Sequence, residues 1–438
     1  MLTQNAYGDS RLSLWLRVRE YAVPPSMIET ATFRRRAGDW AGACAAAGVD
    51  VDLHLRALAR THGTQLAARV RADLRHLAPD LLRWHMPRVA PDGLLRPGLT
   101  IALARYQDGG RSVHLVVRTP PAWADAGQRI SLALWDGTRG AAGAHPHPRP
   151  HRRFRLDLHR HLWDARRADE LRTRSGAGGP PADDPPPPDP RWAVGRWPAE
   201  AGIVLRAEGR HSGTVLVRLG ARDRLLVNVA DPAATGDGGA HRLPVLPDAA
   251  TWVPPDLELL RAGAITAGRL HPLVAAALVP GHAPPATRRP PHPAGQPRIV
   301  ECRGALHRIG QVDGVLVPLD HGPDEIRREE LLAALTGTPL PCLQAIDEAH
   351  RRPDCLPGVR ERLDHGDTAG ALAVVEGLLG PEAVLRDGPL RDELETAAER
   401  RIVHGLFRAG LADPGPRRAP DRRPSRDRRS RPRAATFR

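Results

Sequence analysis

Proline and glycine set the first limit on this chain: 45 prolines and 42 glycines make up about a fifth of its 438 residues. Each proline removes a backbone donor and fixes φ, so a regular element can begin at one but cannot run through it undisturbed. That share exceeds ordinary globular usage and stays short of the disordered range. A protein of short elements joined by Pro-rich segments is the expected outcome. The length allows two or three domains and a sizeable core. With nine Trp, four Phe and three Tyr, that core must be built mainly from Leu, Val and Ala.

The patterning predicts an α+β fold: an N-terminal helical unit, then antiparallel β-rich units and a C-terminal α/β helical unit, joined by Pro-rich linkers. Residues 1–26 hold two of the three Tyr and one of the two Asn. They are either a non-native extension ahead of Met27 or an added strand, in which Leu12, Leu14, Leu16 and Val18 alternate with polar residues. Residues 27–136 read as four helices followed by a hairpin, Leu99–Tyr106 with Ser112–Thr119, and a third strand, Ile130–Trp135. Asp39 and Asp367 sit in a repeated G-D-x-A-G-A pattern, where Gly ends one helix and Asp caps the next.

Residues 137–191 form a basic joint rich in Pro, His and Arg, with a short strand through Phe154, Leu156 and Leu158. Residues 192–280 make a β-rich unit with expected strands at Ile203–Arg206, Thr214–Leu219 and Leu225–Val229. A Pro-rich linker, 281–297, leads to a hairpin-plus-helices unit over 298–411. Its Asp313-Gly314 pair is a strong hairpin-turn signal. Residues 412–438 have too few apolar side chains to fold alone and read as a disordered Arg-rich tail.

All 64 basic residues other than His are Arg, since the chain has no lysine. A P-loop, a protein kinase site and a pyridoxal Schiff base each need a lysine, so all three are excluded in their ordinary form. No glycine-rich fingerprint follows a strand, and no cofactor is implied. Half of the formal +14 lies in the tail, where ten Arg face Asp413, Asp421 and Asp427. A second excess spans Arg149–Arg174. The four cysteines show no paired C-x-x-C spacing and read as reduced, which with the absence of a leader predicts a cytoplasmic protein. The longest apolar run, Leu273–Val279, is far short of a membrane span.

Three sets of residues are candidates for chemistry. The tail arginines Arg417, Arg418, Arg422, Arg423, Arg426, Arg428, Arg429, Arg431 and Arg433 would attract a polyanion through phosphate contacts; a tail enriched in Arg by a GC-rich gene is the plainer account. Asp157, His159 and His161 would share one face of a strand and could ligate a metal, although the surrounding arginines repel a cation. Cys302, His307, Cys342, His350 and Cys355 are zinc-ligand types whose spacings match no short knuckle. Ser212 lies outside any G-x-S-x-G elbow, so no nucleophile stands out.

These readings predict a non-enzymatic cytoplasmic interaction or scaffold protein with a protein partner of unknown identity and no membrane contact. A His/Asp-dependent hydrolase, with or without a metal, is the first alternative. A non-specific nucleic-acid-binding protein using the Arg-rich arm is the second.

Overall fold

The computed structural model describes residues 11–138, 145–177, 189–220, 223–229, 243–282, 298–302, 305–337 and 340–411. It is a mixed helix and sheet protein, with helices at both ends and small antiparallel sheets between them. Its strands are β1 (Val49–Val51), β2 (Arg88–Val89), β3 (Leu94–Leu95), β4 (Thr100–Asp108), β5 (Arg111–Arg118), β6 (Ile130–Trp135), β7 (Gly213–Arg218), β8 (Arg224–Val229), β9 (Arg298–Cys302), β10 (Ala305–Val312) and β11 (Val315–Pro318). The largest sheet has the order β1-β6-β5-β4. β1 joins β6 in parallel, and the other pairs are antiparallel. β4 is buried along most of its length. Its outer edge meets Arg155 in a parallel bridge to Ala102, which covers an edge that would otherwise be open to pairing.

Three apolar clusters organise the chain. The first draws on Val18–Ile28, the helices up to Met86, β4 to β6, Phe154–Leu171 and Leu259–Ala277, so it runs across the boundaries expected at 136 and 191. The second packs the helix Trp197–Ala207 on β7. The third gathers the helices Pro341–Arg351, Leu356–His365, Thr368–Leu379 and Pro389–Arg408. Among the described residues, no helix is long and apolar enough to cross a membrane.

Several expected elements differ in the structure. Residues 11–17 are helical and continue as a π-turn over Val18–Ala22, instead of forming a strand. The turn buries Val18 and Ala22 in the first cluster and swings Arg19 inward to Asp256, at 3.0 Å. Ile203–Arg206 is part of the Trp197–Ala207 helix, because Trp197, Ala201, Val204 and Leu205 recur at helical spacing and are buried together. The strand expected through Phe154, Leu156 and Leu158 is replaced by two 3-10 turns, Leu156–Leu158 and Arg160–Leu162. Phe154, Leu156 and Leu162 enter the first cluster while Leu158 packs against the second, and an alternating strand could not serve both.

The basic stretch Arg149–Arg174 is correspondingly a folded, largely neutralised segment. Six of its nine arginines form ion pairs, and several partners are distant in sequence: Asp73, Glu200 and Asp248. The hairpins expected from Leu99–Tyr106 with Ser112–Thr119 and around Asp313-Gly314 are present as β4–β5 and β10–β11. Asp39 and Asp367 cap their helices, accepting from the backbone N of Gly42 at 2.8 Å and Gly370 at 3.0 Å.

Candidate anion-binding pocket

Segments far apart in sequence wall a cavity of about 480 Å³. The helix Pro79–His85 supplies His85 at its last turn, and Pro87 then turns the chain into β2, which carries Arg88. The 3-10 turns add Leu156 and His161, and Phe154 comes from just before the first of them. The N-terminal helix adds Leu14 and Trp15, and Trp252 to Pro255 close one side. The lining therefore combines apolar and aromatic surface with cationic side chains.

Seven arginines line this space, against one carboxylate, Asp248. Five are occupied by acids. Arg11 bonds Glu258 at 2.8 Å, Arg155 holds Asp157 through two nitrogens, and Arg174 grips both oxygens of Glu200 at 2.5 and 2.6 Å. Arg153 pairs with Asp248 and Arg191 with Asp189. Arg88 and Arg96 have no carboxylate partner among the described residues. Arg88 spends its two terminal nitrogens on the carbonyls of Gly93 and Arg83, both at 2.8 Å, and its Nε is buried without a partner. Arg96 is exposed at the rim.

Two histidines complete the wall. Burial holds His85 down to about 4, with Asp256 opposing and Arg19 assisting. Burial also pushes His161 well below its ordinary value, followed by the influence of His159 and Arg174. Both imidazoles are neutral at pH 7. His85 Nε2 and His161 Nδ1 are buried with no hydrogen-bond partner. An unmade hydrogen bond of this kind costs about 1–3 kcal/mol. An acceptor-rich anion in the cavity would meet the two arginines that no carboxylate neutralises.

The residues expected to bind metal do not form one donor cluster, although the rings of His159 and His161 are neighbours, 5.8 Å between centroids. Arg155 occupies the Asp157 carboxylate, His159 Nδ1 donates to the carbonyl of Arg155 at 2.9 Å, and His159 Nε2 lies 3.3 Å from Glu200. The strand face that would have aligned the three is absent, since the segment turns twice. Only His161 reaches the cavity. Cys44 and Cys342 are buried, and burial raises Cys44 to about 12, which leaves it an inert thiol. Nothing in sequence spacing links His85 and Arg88 to His161. The one local signal is the run Trp84-His85-Met86-Pro87-Arg88, where a proline ends a helix and forces bulky polar groups off its axis. The tail arginines Arg417 to Arg433 lie outside the described residues.

A second cavity, of about 560 Å³, is lined by His54, His62, His145, His404 and Ser131 among others. There His62 Nδ1 stands 2.8 Å from Asp108 Oδ2. Asp50 is held well below the carboxylate range: burial opposes this, but His404, Arg129 and Arg408 outweigh it. No protein-family model, curated protein or solved structure matches the chain.

Proposed function

We propose that the protein binds a small anionic ligand with an apolar or aromatic body in the 480 Å³ cavity. This keeps the non-enzymatic interaction reading and gives it a small-molecule partner. The observation behind it is that seven arginines line the cavity against one carboxylate, and that two of them, Arg88 and Arg96, have no carboxylate partner among the described residues. Trp15, Phe154 and Trp252 supply the apolar surface that a pocket of this size offers a ligand body. The test is calorimetric titration with aromatic phosphomonoesters and carboxylates. Replacing the exposed Arg96 with Ala should weaken binding about tenfold or more without disturbing the fold, as expected for losing one charge-assisted hydrogen bond. Equal affinity in Arg96→Ala and His161→Gln, or no ligand in the panel, would overturn the reading.

A second reading, an acid–base hydrolase, is favoured by the His62–Asp108 contact beside the 560 Å³ cavity, because a carboxylate on one ring nitrogen orients the other as a base. Turnover of ester and phosphoester probes that disappears in His62→Gln would support it. Unchanged turnover would remove it.

A further inference from the structure

The C-terminal unit carries a separate cluster of donors. His321, Glu325 and Glu329 offer one ligand atom each, and these atoms all lie within 4.8 Å of one another. The β10–β11 hairpin places the first of them. Leu319 N donates to the Arg308 carbonyl at 2.7 Å, and Arg308 holds Asp320 through its backbone N at 2.8 Å and Nη2 at 3.0 Å. The chain then passes Gly322 into the helix Pro323–Thr336, on which Glu325 and Glu329 stand four residues apart and share a face. The side chains of His321 and Glu329 are only 3% and 8% exposed. His321 Nδ1 is 3.2 Å from Glu329, and its Nε2 is 2.9 Å from Nδ1 of His307 on β10.

We propose that His321, Glu325 and Glu329 bind a divalent transition-metal ion of the zinc class, with His307 as a positioning residue that orients His321. A ligating imidazole usually donates its second N–H to a neighbour, which fixes the tautomer and the ring plane. A bond from His321 Nε2–H to His307 Nδ1 does this, and it turns the lone pair of His321 Nδ1 toward the carboxylates. A dication there neutralises Glu329, whose one ion-pair partner among the described residues is His321. One imidazole and two carboxylates, with Glu325 exposed on the outer side, match a three-ligand centre that keeps a position open to solvent. The nitrogen donor favours zinc-like ions over Ca²⁺ and Mg²⁺, which prefer oxygen. Bonds of about 2.0–2.2 Å place donors about 3.4 Å apart, so small side-chain rotations of roughly 1 Å close the site.

The experiment is titration of the tag-free, EDTA-treated full chain with Zn²⁺, and with Co²⁺ for its ligand-field spectrum. The expected result is one ion per chain and a raised thermal midpoint. Glu325→Gln, whose exposed position protects the fold, should lower the affinity at least about tenfold. Absence of stoichiometric uptake, or wild-type affinity in Glu325→Gln with unchanged circular dichroism, overturns the proposal. Should Glu329→Gln fail to fold, Glu325→Gln still decides.

Discussion

His85 and His161 show how single residues tie the pocket to pH. Burial depresses both, His85 to about 4 and His161 well below its ordinary value, so the folded chain resists protonation where the unfolded chain accepts it. Their contribution to stability is complete above the unfolded histidine value of about 6.5 and is lost as pH falls from there toward the folded values. The thermal midpoint should therefore drop between about pH 6.5 and 4, and His161→Gln should flatten that decline. An unchanged pH profile in the variant would mean that other groups dominate the acid limb. An anionic ligand favours the charged imidazoles, so its affinity should rise over the same interval.

At the level of elements, the β10–β11 hairpin has the clearest chain of cause. Asp313 and Gly314 both adopt positive φ, at 49° and 75°, as a two-residue turn requires when strands of this twist are joined. A Cβ on Gly314 would also come within 3.0 Å of Glu382. Gly314→Val should destabilise the C-terminal unit by about 1 kcal/mol or more, read as a lower urea midpoint. This element was legible because Asp-Gly is a local signal, as were the capping aspartates. The strand expected at Ile203–Arg206 is part of the Trp197–Ala207 helix, since the three apolar residues Ile203, Val204 and Leu205 alone cannot distinguish the two periods. The three-residue β1 was missed entirely. Its pairing with β6 lies about 80 residues away in sequence, and no local pattern encodes it.

Across the whole molecule, Arg83 joins parts that the sequence keeps far apart. It is 1% exposed and donates to three carbonyls: Ala22 at 2.9 Å, Gln128 at 2.6 Å and His365 at 2.7 Å. Burial lowers it to about 10, which leaves it charged at neutral pH. Gly127 and Gly366 meet beside it so closely that a Cβ on Gly366 would collide with the Gly127 backbone. His404 Nδ1 donates to the Ala124 carbonyl at 2.9 Å nearby. Arg83→Met should cost about 3 kcal/mol or more, because three buried carbonyls lose their donor together. The unfolding transition should also lose cooperativity as the C-terminal helices detach. At the same scale, deleting 413–438 removes half of the net charge. If the arm binds nucleic acid, the truncated protein should bind mixed-sequence DNA more weakly and with a shallower salt dependence. Equal binding and an equal slope would sink that reading.

Composition and local pattern determined the mixed fold, the helix caps, the hairpin turns and the exclusion of lysine-dependent chemistry, because each depends on residues within a few positions of one another. Only the tertiary structure decided where the charges go. The Arg149–Arg174 stretch looked like a solvated basic joint until carboxylates from positions 73, 200 and 248 were brought against it. Asp157, His159 and His161 share no common face, because burial in two clusters demanded turns in place of a strand. The pocket and the His321, Glu325 and Glu329 cluster arose from side chains whose chemistry depends on neighbours supplied by folding: burial sets the protonation of His85 and His161, and a hairpin one strand away sets the orientation of His321.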